Sequence, residues 1–307
     1  MLWAVLAAGA AVLWALQGAW TKRLTAGVTP AVTTWAIFGF SLPLLAAWLA
    51  IRGLPPVEGS YWAVLAANSA LYLLSFRLYV SALEAGDLGV VYPLLALTPV
   101  LAAPVEWILL GDRVGALGAA GVGLVAAGVY LLHHRGAGRP LLEPLRAMAD
   151  DPGARRMLAV AALWAVSGTV DRAAVLRSSP AFYGTSVALL LSLGLLPAAL
   201  RSGRGGTPGP GGASDAGEGS RGRAGLAAAL RRRPGALAVQ GLLFAGMFVV
   251  QMEALRLALA TYVLTVKRSG TLLAVLLGGA LFREGGTGRR LAGTAIVLAG
   301  VALVVLS

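Results

Sequence analysis

Ten apolar runs divide this chain, at residues 2–20, 31–51, 61–82, 88–110, 115–132, 157–176, 181–200, 235–258, 259–282 and 289–306, with charged residues, Gly or Pro at the breaks, the eighth and ninth abutting just after Arg256. A helix rising 1.5 Å per residue needs roughly 20 apolar residues to cross a bilayer, so each run is of spanning length. Composition agrees. Of the 307 residues 58% are hydrophobic and 12% charged, about half the charged share of a soluble domain. The expected fold class is an all-α integral membrane protein with ten transmembrane helices. Leu2–Trp20 has no basic segment before it, and Lys22 and Arg23 stand where a cleavage site would lie, so it reads as a retained first span and not a secretory signal.

The spans repeat. Leu13-Trp14-Ala15 with Gly18 and Lys22 matches Leu163-Trp164-Ala165 with Gly168 and Arg172 at an offset of 150. Ala82-Leu83, Asp112, Gly121 and Gly128 match Ala254-Leu255, Glu284, Gly293 and Gly300 at an offset of 172. The offset grows because the second copy holds a Gly-, Ser-, Pro- and Arg-rich stretch at 201–233 with no apolar period, expected to be a disordered linker. The domains expected are a five-helix repeat at 1–132, a basic connecting loop at 133–156, and a second five-helix repeat at 157–307. Five is odd, so the second repeat enters the membrane inverted relative to the first, as in secondary transporters whose site lies near the midplane between repeats.

The net charge of +12 could suggest nucleic acid, but the basic residues occupy the gaps between spans, without interleaved aromatics. No nucleic-acid partner is expected. Lys and Arg number 17 in the loops and adjoining span ends on one side and 4 on the other, and the positive-inside rule then puts both termini outside. The expected location is the inner membrane of a prokaryotic cell. The chain has no cysteine, which removes disulfides and thiolate metal sites. His133 and His134 have no carboxylate cage, the Gly121-Val-Gly123 run sits in a span with no preceding strand, and no Walker-type loop exists. No cofactor or metal, and no direct use of ATP, is expected.

The five-plus-five layout resembles a known family. So do the Leu-Trp-Ala-x-x-Gly-x-x-x-Lys/Arg pattern in spans one and six, Ala82-Leu83 and Ala254-Leu255 before spans four and nine, Pro99, and Gly111-Asp112 and Arg283-Glu284 closing those spans. Together they resemble the EamA-type transporters of the drug/metabolite transporter superfamily, and Val266-Lys267-Arg268-Ser269 resembles a subgroup with a Lys-Arg pair in span nine. The chain departs from that family in having Asp112 where Glu is usual, and in a charge count opposite to the family's cytoplasmic termini. The resemblance implies a small-molecule substrate carried across a lipid bilayer.

Lys267 and Arg268 interrupt span nine, and an ionisable group at membrane depth costs a few kcal/mol or more. At least one is expected to face the cavity and bind an anionic or carboxylate-bearing group, with Ser269 and Thr271 adding hydrogen bonds; the alternative is a structural pair neutralised by Glu106 or by backbone carbonyls. Tyr92, Pro99 and Glu106 recur at sevens along span four, which the repeat makes the mate of span nine, so Glu106 is the expected partner of the cations. It would serve as an ion-pair tie or a proton carrier, and Glu253 is the other candidate for proton exchange. Arg77 either snorkels to headgroups or joins the pathway. Gln251, near Glu253, is a further polar candidate. Trp14 and Trp164, mates at mid-span, line the cavity or anchor packing. No nucleophile, base and orienter constellation is visible, so no enzyme is expected.

The expected function is secondary active transport, by alternating access, of a small polar or amphipathic metabolite, anionic or zwitterionic, such as an amino acid or organic acid. Protons are candidate coupling partners. The other readings are a flippase for a lipid-linked substrate, a multidrug exporter, or a non-transporting membrane scaffold. Oligomeric state is not legible in the sequence.

Overall fold

The computed structural model describes residues 1–85, 91–133, 151–202, 224–270 and 287–307, and among these every regular element is helical. In chain order they are α1 (Leu2–Thr25), α2 (Pro30–Gly39), α3 (Leu42–Arg52), α4 (Tyr61–Ala85), a 3-10 segment (Tyr92–Leu97), α5 (Thr98–Leu110) and α6 (Ala116–His133). There follow α7 (Pro152–Leu176), α8 (Pro180–Arg201), α9 (Leu226–Arg232), α10 (Pro234–Leu257), α11 (Ala260–Arg268) and α12 (Thr287–Leu306). Among the described residues six stretches are long and apolar enough to cross a membrane: α1, α2 with α3, α4, α7, α8 and α10. The protein is therefore a multi-pass membrane protein.

Local chemistry sets the helix ends. Pro stands in the first turn of α2, α3, α5, α7, α8 and α10, where its missing N–H would have had no helical acceptor anyway. Asp151 caps α7 by accepting from Gly153 N at 2.6 Å, and Ser179 caps α8 by accepting from Phe182 N at 3.2 Å. Gly111 closes α5 with φ +72°, a left-handed turn that favours glycine. The run 31–51, read as one span, is two helices, because Pro43 in the first turn of α3 removes a donor.

The linker expected at 201–233 is partly folded. α8 extends to Arg201 and α9 packs Leu226 and Ala229 against Leu24, Val28, Val32 and Leu237. The period was too short to read in sequence, since only seven residues are helical there.

Three helix pairs form the frame: α1 against α10, α4 against α7, and α6 against α12. In the last pair a Cβ added to Gly121 would stand 2.6 Å from Gly300 O, and one added to Gly128 would stand 3.0 Å from Gly293 O. As residue number rises along α6 its partner's falls, so these helices run antiparallel with backbones in contact, as small residues permit. The core between the pairs is aromatic. Trp14, Phe76, Tyr79, Trp164 and Phe244 are buried in one cluster.

Candidate binding cavity

The last turn of α11 carries Lys267 and Arg268 into this aromatic core, where they are 5% and 1% exposed. Two charges so deep need compensation. Lys267 Nζ lies 4.4 Å from the ring centre of Trp14 and donates to Gln251 Oε1 on α10. The Arg268 guanidinium lies 5.7 Å from Trp14 and 5.2 Å from Trp164, and its Nη2 is 3.4 Å from Thr98 Oγ1. Indole faces attract cations through the ring quadrupole, more strongly when water is excluded. Trp14 and Trp164 meet edge to face, and Trp164 Nε1 donates to Ser75 Oγ at 3.0 Å.

These cations line a narrow cavity, about 30 Å³ open to water, walled by α1, α4, α7, α10 and α11. That is room for a water or two. A solute the size of an amino acid requires the walls to part. The described lining has one carboxylate, Asp171 on α7, which is 1% exposed. Its Oδ1 accepts from Asn68 Nδ2 at 2.7 Å and from Tyr183 Oη at 2.6 Å, and its Oδ2 accepts from Tyr72 Oη at 2.6 Å. Ser167 Oγ donates to Asn68 Oδ1 at 2.7 Å. The cluster joins α4, α7 and α8 in one buried network, the kind that sets a unique packing when every member is satisfied.

Glu106 stands elsewhere. Ala260 N at 2.6 Å, Thr261 N at 2.9 Å and Thr261 Oγ1 at 2.8 Å donate to it, and Arg172 Nη1 is 3.8 Å away. It caps the first turn of α11, where free N–H groups and the helix dipole favour an anion. Lys267 lies about 10 Å further along that helix at 1.5 Å per residue, so Glu106 is not the partner of the cation pair. Spans four and nine do touch, as expected, but Glu106 meets the first turn of α11 and it is Thr98 that reaches Arg268 in the last. Arg172 also pairs with Asp112 and donates to Ala258 O at 3.1 Å.

Of the other residues singled out in sequence, Trp14, Trp164 and Gln251 line the cavity. Ser269 turns back to its own chain, Oγ donating to Val266 O at 2.6 Å. Glu253 pairs with Arg52 and Arg256 beside an open cleft at the helix ends, outside the cavity. Arg77 is exposed on the outer face of α4, as a snorkelling residue would be. Thr271 and the side chain of Tyr92 lie outside the described residues.

Sequence reasoning missed Asp171, Asn68, Tyr72 and Tyr183. A signal existed, since Asp171 and Asn68 are polar residues within the sixth and third apolar runs. Arg172, the neighbour of Asp171 in sequence, pairs with Asp112.

Residues 1–133 match the model of the EamA-like transporter family. No curated protein matches the chain in sequence. The fold has a solved counterpart: a protein crystal structure 17% identical in sequence superposes with a TM-score of 0.66, over 99% of this chain and 96% of that one.

Proposed function

We propose that this chain, whose residues 1–133 match the model of the EamA-like transporter family, is a secondary active transporter that moves a small anionic or zwitterionic metabolite by alternating access. The coarser conclusion, a transporter-type membrane protein acting on a small molecule within a bilayer, is the family's own. One observation carries the finer one: Lys267 and Arg268 are buried over Trp14 and Trp164 in the wall of a central cavity. Two cations against one lining carboxylate favour a solute that brings negative charge. Charged side chains within a membrane tend to mark such pathways.

Several contacts support two inverted five-helix repeats, at 1–132 and 157–307, joined by the basic segment 133–156. Trp14 and Trp164, mates at offset 150, touch each other. Gly121 meets Gly300 and Gly128 meets Gly293, which exchanges the mates at offset 172 and requires opposed directions. Lys22 donates to Leu83 O, and its mate Arg172 donates to Ala258 O, three residues beyond the mate of Leu83. The ten-span count and the outward termini in a prokaryotic inner membrane rest on the apolar runs and the Lys/Arg bias.

Uptake into reconstituted liposomes tests this reading, with amino acids and organic acids competing against labelled probes. Competition by these acids, lost in Arg268→Ala, is expected. Competition by cationic dyes alone would sink it in favour of multidrug export, whereas movement of lipid-linked molecules would indicate a flippase. A phenotype unchanged by neutralising Lys267 and Arg268 would indicate a scaffold.

A further inference from the structure

We infer that Asp171 is the proton-carrying residue of this protein, and that it couples protonation to the binding of an anionic solute at Lys267 and Arg268; the coupling half of this rests on the transport reading above. The geometry separates the buried carboxylates by what their partners can do. Glu106 is held by two backbone N–H groups, one hydroxyl and a facing guanidinium, and of these only the Thr261 hydroxyl can accept a proton. The two N–H groups and the guanidinium serve only the ionised form. Asp171 is held on Oδ2 by the Tyr72 hydroxyl and on Oδ1 by the Tyr183 hydroxyl and the Asn68 amide. A hydroxyl donates or accepts by rotation, so the tyrosines suit the carboxylate and the carboxylic acid alike.

The molecule contains its own control. Offsets of 150 and 172 make Thr21 the counterpart of Asp171 and Gln240 the counterpart of Asn68. Those two also bond, Gln240 Nε2 donating to Thr21 Oγ1 at 2.8 Å across α10 and α1. A hydroxyl therefore suffices to tie the helices at this position, and the carboxylate on the other side is in excess of that need. It is also the one facing a cavity with cations. The titratable and charged groups around Asp171 are Tyr72 from α4, Tyr183 from α8, and Lys267 and Arg268 from α11. The α10 and α1 walls add uncharged Gln251 and Trp14.

The steps balance in charge. A proton from water in the opened cavity binds a carboxylate oxygen of Asp171, and a tyrosine hydroxyl turns from donor to acceptor for the new O–H. Lys267 and Arg268 then lose their nearby counter-charge, and an anionic solute replaces it. Proton and anion thus favour each other's binding, a reciprocal coupling. On the opposite side the anion leaves and Asp171 releases its proton to water.

Infrared difference spectra of the full chain in lipid nanodiscs, between acid and alkaline pH, read Asp171 without any solute. A protonated-carboxyl band is expected in the wild type, lost in Asp171→Asn, shifted in Tyr72→Phe and retained in Glu106→Gln. A band unaltered in both Asp171→Asn and Tyr72→Phe overturns the assignment. In liposomes loaded with a pH dye, L-glutamate, L-aspartate and succinate are the probes. Proton entry with a carried probe, abolished in Asp171→Asn while the probe still moves, is expected. Carriage in the wild type without proton movement overturns the coupling. If none of the probes is carried, the anion reading under the proposed function fails, and the infrared result separately decides whether Asp171 takes the proton.

Discussion

Trp14 and Trp164 contact each other edge to face, ring centroids 5.2 Å apart and planes at 80°, each near the middle of its own helix. Two faces of one aromatic unit therefore serve two cations. Tyr79 packs on both rings, at 5.5 and 5.1 Å.

Truncating either ring removes packing and exposes a buried cation at once. Trp164→Ala is expected to lower stability by about 3–5 kcal/mol, the usual range for a large aromatic in a core, while Trp164→Phe loses less. Thermal unfolding in detergent compares the two; equal losses would mean that the indole has no particular role.

Arg268 and Lys267 are not interchangeable. The planar guanidinium spans both indoles and reaches Thr98, whereas the ammonium is bound to Gln251. Arg268→Lys keeps the charge but loses the stacking plane. A charged hydrogen bond is worth about 1.5–3 kcal/mol, so uptake of a carboxylate probe should show KM raised about tenfold or more. An unchanged KM removes Arg268 from the binding site.

Removing the charge at Glu106 leaves two N–H donors and Arg172 facing an amide. Arg172 keeps Asp112, so the loss falls on the buried N–H donors, for which a lost acceptor costs about 1–3 kcal/mol, and Glu106→Gln should unfold at lower temperature. The pH profile of uptake in the fraction that folds should match wild type. A displaced profile would return Glu106 to the proton pathway.

Backbone contact between α6 and α12 leaves no room for a side chain at Gly121. Overpacking of this kind costs about 1–3 kcal/mol. Gly121→Leu is expected to lower stability by at least that much, with Gly123→Leu, whose added Cβ meets nothing within 4 Å, as the tolerated control. Equal tolerance of both changes would contradict the antiparallel packing.

The helices and the cation pair were legible in the sequence for one reason: both are local signals, a run of apolar residues and a charge interrupting it. The partner of the cations was not. A stripe at sevens placed Glu106 on the face of span four that meets span nine, but a one-dimensional pattern does not say which end of the facing helix it meets. Asp171 depends on Asn68, 103 residues away, and Tyr72, 99 away. Nothing in the spacing of those residues foretells that they converge. The break between α2 and α3 was marked by Pro43, while α9 was too short to carry a period.

The glycine contacts between α6 and α12 have one more consequence. Each helix offers the other the surface that a copy of itself would offer, which is the geometry of a symmetric dimer made from one short protein. In a true dimer any substitution appears twice. Here both partners are segments of a single polypeptide, so each can vary alone: Leu95 and Ala96 remain where the other half has Lys267 and Arg268, and Thr21 remains where it has Asp171. On the proposed two-repeat reading the charged groups of the cavity come from one half, while the other brings Trp14, Asn68 and Tyr72 to meet them.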